Sequence, residues 1–519
     1  MNRLFHFFLL ISLFSCAIVS VPTGGERDIT PPEIIESSPE NYKTNFKSTE
    51  IELTFDEYVE LKNFNQQFSI SPPLENKIDY QLKGKTLLIT ILDTLKENTT
   101  YTLNFGNSIL DITEGNPQTN FKYVFSTGPI LDSLKVRGEV HNALSGKPME
   151  GLLAMLYLPT DEDSVGFKTK PKYYAVTQED GSFSIENIKS DNYNLLVLED
   201  RDFNFMITSG KEPRGFENNT IHPAVDSIYH LRTFVEKSDL KFNLVKQTGL
   251  GMAQIYYSAD VPADFKITEK NGHAVFVDDR EGRDTLTLFY EKDDSDTSIF
   301  YAQYEKVTDT LFIRNAKFDK VKPKISVKKA TVTPSDFLTL TSNKPIESFD
   351  VSQLVFVKNK DTIPTPKLTL NKNSFDLVFD EQPVFGDQYN IHFTPSFATV
   401  FGNLNVDTTS LSFKTKKETD YAFHIISLTQ KENQQSIVQL LDEKNNLVFE
   451  KSVLGKAHIE VPFLEPSGYV LRVIIDDNKN GVWDTGNYLE QSQPETVLYY
   501  PEVIELRANW EIETIWNLE

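Results

Sequence analysis

The chain has 519 residues, of which 39% are hydrophobic and 24% charged, with a formal net charge of −23. At ~100–200 residues per domain this length predicts several cores instead of one, and the balance excludes a disordered chain. A surface this anionic repels phosphate backbones and sets nucleic acid aside as a partner, while leaving divalent cations as candidates.

The first 15 residues read as a signal peptide. Arg3 supplies the positive end, and an apolar core runs from Leu4 to Phe14. In place of an A-x-A cleavage site stands Leu13-Phe14-Ser15-Cys16, which resembles the lipobox of bacterial lipoproteins. That resemblance implies cleavage before Cys16, the only cysteine of the chain, and attachment of diacylglycerol and palmitate to the new N-terminus. A buried or free thiol in an ordinary secreted protein is the other reading of Cys16. Multiple acyl chains hold a protein stably to a bilayer, where one chain holds it marginally. Residues 16–29, with Pro22 and Gly24-Gly25, read as a tether. No Asp stands at the second mature position, so the expected location is the outer membrane, at the cell surface or the periplasmic face. Elsewhere no apolar run reaches the ~20 residues that a spanning helix needs.

From residue 30 onward, runs of period two such as "STEIELTFDEYVEL", "KTLLITIL", "TTYTLNFG" and "FKYVFSTG" are split by Asn, Asp, Gly and Pro. Helical patterns are nearly missing; "NFNQQFSI" has room for one turn. Aromatic residues at 12%, with 37 Phe and 21 Tyr, suit pleated faces. The predicted fold class is all-β, a string of tandem sandwiches.

Two segments repeat one scheme. "YTLNFGNSILDITEGNPQTNFKYVFSTG" starts at Tyr101, and "YNIHFTPSFATVFGNLNVDTTSLSFKTK" starts at Tyr389. In both, Tyr-x-apolar-x-Phe opens a strand, Gly-Asn marks a turn and Phe-x-Thr closes the segment. The distance from Tyr101 to Phe125 equals that from Tyr389 to Phe413. Upstream, "IELTFDEYVE" is answered by "LTLTSNKPIE", with Thr54 and Thr341 in step. These residues resemble the bacterial Ig-like domain of envelope lipoproteins and surface-layer proteins, well over 30–128 and less closely over 323–416. With the opening segment they resemble a family of Ig-like domain lipoproteins.

A second pair follows. In "NYNLLVLEDRDFN" Tyr193 precedes Asp200, and in "GYVLRVIIDDNKNG" Tyr469 precedes Asp476 by the same interval. Asp202 then matches Asn478, and Asn204 matches Asn480. Upstream of the first copy, "VRGEVHNALSGKPMEGLLAMLY" and "TQEDGSFSIENI" resemble the carboxypeptidase regulatory-like (transthyretin-like) sandwich. Gly146-Lys147-Pro148 and Asp180-Gly181 would be its hairpin turns. The resemblance implies a structural module with no catalytic residue. The expected order is signal peptide 1–15, tether 16–29, Ig-like domain 30–128, transthyretin-like sandwich 129–235, a small sandwich 236–322, second Ig-like domain 323–416 and C-terminal sandwich 417–519. Two long loops, "PTDEDSVGFKTKPKYY" and "TSGKEPRGFENNTIHPAVDS", widen the second sandwich, either as contact loops or as solvated excursions.

Chemistry concentrates near the C-terminus. In "DDNKNGVWDTGNYLE", Asp476, Asn478, Asn480, Gly481 and Asp484 match the first, third, fifth, sixth and ninth positions of a calcium loop, with the Val482 carbonyl at the seventh. The twelfth position holds Asn487 in place of a bidentate Glu, and Glu490 comes three residues late. The same residues also suit a turn in which Asx side chains bond their own backbone. No cofactor is expected beyond such a calcium ion. Trp483, Trp510 and Trp516, the only tryptophans, are either a ligand or interface platform for a glycan or protein, or core aromatics. No G-x-S-x-G, H-E-x-x-H or P-loop occurs, and the eight histidines are scattered, so no enzyme is expected. Asp-Ser/Thr-apolar tripeptides at Thr94, Ser133, Ser164, Ser227, Thr285, Thr310 and Thr362 resemble acceptors of a bacterial O-glycosylation system, and also arise by chance at strand starts. The expected function is a non-enzymatic outer-membrane lipoprotein, a scaffold docking on outer-membrane β-barrel proteins of an assembly or secretion complex. The alternative is a surface glycan-binding lipoprotein working with an outer-membrane transporter.

Overall fold

The computed structural model describes residues 28–518, apart from 77, 120, 160–164, 203, 226, 238–239, 259–260, 263, 281–284, 292–294, 320, 365 and 403. Cys16, the residues 1–15 read as a signal peptide, and Ser164 lie outside the described residues. The chain divides into two compact units: residues 1–140, 149–206 and 216–231, and residues 141–148, 207–215 and 232–519.

In the first unit, alternation builds a β-sandwich. Along Glu50–Phe55, Ile51, Leu53 and Phe55 are buried while Glu50 and Glu52 face water. This strand lies in a four-stranded sheet with Ile34–Ser38, Thr86–Thr90 and Asp79–Lys83. Its apolar side shares one core with Tyr101, Leu103, Tyr123 and Phe125 of a second sheet, Ser69–Ser71, Thr100–Asn104 and Lys122–Ser126. The expected single turn is the helix Phe64–Gln67.

A separate core from Val136 to Leu231 marks the next sandwich. Its sheets are Ser182–Ile188, Leu134–Asn142 and Ile228–Thr233, and Tyr173–Val176, Leu153–Tyr157, Asn194–Leu198 and Arg214–Phe216. Gly146 sits at a φ of +65° in a hairpin whose Asn142 carboxamide accepts the Leu144 and Ser145 N–H groups. Asp180-Gly181 makes the expected tight turn, with the Gly181 N–H donating to the Gln178 carbonyl at 2.9 Å and the Gln178 N–H to the Ser182 carbonyl at 2.8 Å, and its flanking strands then enter different sheets. The two long loops are not all coil. The first carries the short helix Val165–Lys168, and the second carries the strand Arg214–Phe216. The two sandwiches touch through Tyr174, whose hydroxyl accepts the Ile70 N–H at 3.1 Å and whose own N–H donates to Ser71 Oγ at 3.1 Å. Lys122 and Glu186 form an ion pair at 2.6 Å beside them.

The second unit holds three further cores, over Ala253–Ile313, Ile325–Phe413 and Ala422–Leu506. Neighbours are again braced directly. Arg280 reaches the buried Asp376 at 3.4 Å and stacks on Phe375 at 4.1 Å. Phe289, Phe375 and Phe401 form a small cluster of their own there. Lys416 pairs with Glu465, and Phe385 packs edge-on against Phe463 at 5.2 Å.

The repeats have a structural basis. Tyr101 lies directly opposite Phe125, and Tyr389 directly opposite Phe413. Each tyrosine hydroxyl accepts a backbone N–H five residues upstream, from Lys96 at 2.9 Å and Val384 at 3.1 Å. In the second pair, the Tyr193 and Tyr469 hydroxyls donate to carbonyls four residues upstream, on Lys189 at 2.9 Å and Glu465 at 2.7 Å. Each corner fixes where a strand enters its sandwich.

His424 sits fully buried on the strand Ala422–Thr429, its Nε2 bonded to Thr514 Oγ1 at 2.9 Å and its Nδ1 without a partner. Burial lowers its pKa to about 4. The unfolded chain binds this proton near pH 6.5 and the folded chain only near 4, so stability falls as pH drops through that window. The C-terminal sandwich is expected to lose about 2 kcal/mol between pH 7 and pH 5, and His424→Gln to flatten the loss. Urea titrations followed by tryptophan fluorescence check this, since every tryptophan lies in that sandwich.

Candidate docking loop of the C-terminal sandwich

The strand Gly468–Asp476 ends on a carboxylate that is 1% exposed. Asp476 is satisfied by three donors: the Asn480 N–H at 3.1 Å, the Gly481 N–H at 2.8 Å and the Gln435 side-chain amide at 2.8 Å. Curling the chain back over one carboxylate needs a φ of +80° at residue 481, which glycine takes without strain. Asn478 Oδ1 then accepts the Asn480 N–H at 3.0 Å, and Asn480 Oδ1 the Val482 N–H at 2.9 Å. Their amide nitrogens donate to Asp484 Oδ2 at 2.6 and 2.5 Å, and Lys237 Nζ meets Asp484 Oδ1 at 2.6 Å. Burial pushes the Asp484 carboxyl up, but Lys237 and the two amides outweigh it and hold it below the usual range. Glu495 closes the loop from below, accepting the Asp477 and Asp484 N–H groups at 2.9 and 3.0 Å. Its own pKa is raised, first by burial and then by the Asp476 and Asp484 charges.

Asp476, Asn478, Asn480, Val482 and Asp484, the candidate calcium positions, all lie in this loop, where the two carboxylates take N–H donors. Each oxygen of Asp476 and Asp484 faces an N–H donor, and the cation beside Asp484 is a lysine. Among the described residues no three His, Cys, Asp or Glu side chains stand together as a metal group. The same construction serves the earlier repeat: Asp200 accepts the Asn204 and Phe205 N–H groups at 3.3 and 2.8 Å. Phe205 takes the φ of +66° there that Gly481 takes in the later copy.

What the loop does is dock. Thr485 Oγ1 donates to the Val235 carbonyl at 2.7 Å, and the Tyr488 N–H donates to Glu236 Oε1 at 2.7 Å. Gly486 lies so close to Phe234 that an added Cβ would stand 2.6 Å from the ring. Glu236 also meets Arg214 at 3.6 Å. Arg214 is wholly buried, its Nε donating to the Glu212 carbonyl at 3.1 Å and its Nη2 to the Ser209 carbonyl. A second contact completes the seat: the Tyr499 hydroxyl donates to the Leu144 carbonyl at 2.6 Å. Sequence reasoning missed Arg214, Phe234 and Glu236. Their only signal was a buried-type aromatic and two charges inside stretches that otherwise read as loop.

The tryptophans do not share one surface role. Trp516 points into the core and packs edge-on against Tyr500 at 5.6 Å. Trp483 donates from Nε1 to the Glu495 carbonyl at 3.3 Å, inside the docking loop. Trp510 is 47% exposed, with the Arg507 guanidinium 4.9 Å from its ring. Of the glycan-acceptor tripeptides, Thr94, Ser133, Ser227, Thr310 and Thr362 are exposed. Thr285 is buried in the strand Thr285–Tyr290, where a glycan has no room, so that position is withdrawn. One hydroxyl–imidazole contact went unnoticed in the sequence: Ser427 Oγ lies 3.1 Å from His458 Nδ1 and donates to Glu513 at 2.7 Å. A hydrolytic relay places the imidazole between hydroxyl and carboxylate, whereas here the hydroxyl stands in the middle.

Residues 28–127 match the bacterial Ig-like domain family. The search of curated proteins gives no match. Among solved structures, domains 1–6 of the surface layer protein SbsC are 13% identical at a TM-score of 0.15, covering 92% of this chain and 67% of that one. Domains A168–A170 of titin are 12% identical at 0.14, covering 53% and 98%. A glucan-utilization protein of Bacteroides ovatus, SGBP-B, solved with a mixed-linkage heptasaccharide, is 8% identical at 0.17, covering 73% and 89%. The protein is a multidomain all-β chain whose residues 28–127 form a bacterial Ig-like domain.

Replacing Gly486 by Ala forces a methyl group against the Phe234 ring and the Ser492 carbonyl. The expected cost is about 1–3 kcal/mol, seen as a lower urea midpoint and faster tryptic cleavage around residues 477–496. An unchanged midpoint would show that the loop is not seated on Phe234.

Proposed function

We propose that this chain is a non-enzymatic lipoprotein of the outer membrane, anchored through acylated Cys16, that holds partner proteins as a multidomain scaffold. The observation that carries the reading is the bracing of consecutive sandwiches by specific side-chain contacts: the buried Tyr174 on Ser71 and Ile70, and Arg280 on the buried Asp376 and Phe375. A binding module that only presents one pocket has no need of such joints, whereas a spacer that must hold its ends in register does. The return of the loop 476–496 onto residues 232–237 adds a further tie within the second unit. The partners that suit an anchored scaffold of this kind are outer-membrane β-barrel proteins of an assembly or secretion complex.

The anchor is tested by Cys16→Ser. The variant is expected in the soluble fraction after cell lysis, with the parent in the outer-membrane fraction. Equal distribution of both would remove the anchor from the account. Gentle detergent extraction of the parent, followed by affinity purification and mass spectrometry, is expected to recover a β-barrel protein in stoichiometric yield. Recovery of the chain alone would remove the scaffold reading.

A further inference from the structure

Strand alternation in the third sandwich turns one sheet face outward, with no covering layer among the described residues. Along Val307–Arg314, Leu311 and Ile313 are buried while Thr310, Phe312 and Arg314 point outward, Phe312 with 60% of its surface in water. The neighbouring strand Thr297–Tyr304 sets Ile299 opposite Phe312 and Tyr301 opposite Thr310. Beyond it, Lys266–Glu269 sets Thr268 opposite Tyr301 and Lys266 opposite Gln303. The face is thus an apolar and aromatic strip of Phe312, Ile299 and Tyr301, edged by hydroxyl and amide side chains, with one cation at each end.

Its charge departs from that of the chain. Acidic residues outnumber basic ones by 75 to 52, yet none of the outward positions on these three strands is acidic. The acids of the strands turn away: Glu269 is buried, and Asp309 accepts the Tyr304 hydroxyl at 3.0 Å. The Arg314 and Lys266 rows are six residues apart along the middle strand, about 20 Å.

We propose that this face binds an acidic polysaccharide strand. Ring faces carry partial negative charge and attract the C–H edges of sugar rings. Threonine and glutamine side chains match ring hydroxyls. The two terminal cations match carboxylates spaced along an extended chain several sugars long. A neutral glycan would make no use of Lys266 and Arg314, which sit at the two ends of the strip.

The test is affinity electrophoresis of the full chain carrying Cys16→Ser, in gels containing polygalacturonate or dextran. Retardation is expected in polygalacturonate and not in dextran, declining as salt is raised. Phe312→Ala and Arg314→Gln are each expected to weaken it about tenfold, a loss of about 1.4 kcal/mol. Both side chains are exposed, and an unchanged thermal melt shows that the fold is kept. The proposal is overturned by unchanged mobility in polygalacturonate, by equal retardation in dextran, by variants that behave as the parent, or by protein from its native host bearing a covalent glycan on Thr310.

Discussion

Asp476 keeps a carboxylate almost out of contact with water, and the end of the molecule is arranged around that fact. A buried carboxylate without donors is costly, so the chain wraps until two backbone N–H groups and one side-chain amide point at it. That wrap fixes Gly481, orders Asn478 and Asn480 through their own backbone bonds, and delivers Asp484 to Lys237. From there the next residues fall onto Val235, Glu236 and Phe234. A turn requirement at one residue thereby becomes a tertiary contact.

The joints follow from size. A sandwich of about 100 residues buries a modest share of its surface and is individually marginal. Stacking several in one chain gains little unless neighbours share contacts. Here they do so through single well-satisfied side chains: Tyr174 uses both its hydroxyl and its own N–H, and Arg280 combines an ion pair with a ring face. Such contacts are directional. They define the angle between adjoining modules more sharply than an apolar patch of equal area.

The repeated segments show one local solution applied to different side chains. Tyr193 and Tyr469 anchor equivalent strands by the same bond. Asp200 and Asp476 accept N–H groups at the same two offsets. The copies differ at the strained position, where Phe205 adopts a left-handed backbone that Gly481 adopts freely. Phe205 keeps a compensation there, since the Tyr174 ring packs edge-on against its own at 4.9 Å. The earlier copy therefore retains the turn without a glycine.

Much of this was legible in the chain alone. Period-two alternation determined the all-β class, because a side chain on a strand has only two directions to point, and Ile51, Leu53 and Phe55 follow it without exception. The equal spacing of Tyr101–Phe125 and Tyr389–Phe413 marked a repeated unit, and in both copies the structure sets the two residues opposite each other on paired strands. The tertiary structure alone showed which residues the acidic loop meets. Oxygen-rich turns look the same in sequence whether a cation or a backbone N–H fills them. The partners in contact with this one are Lys237, Glu236 and Phe234, more than 240 residues upstream. The tertiary structure likewise decided that Arg214 is interior and Phe312 exterior, because burial at a given position depends on which other sheet or loop arrives to cover it, and no local pattern encodes that arrival.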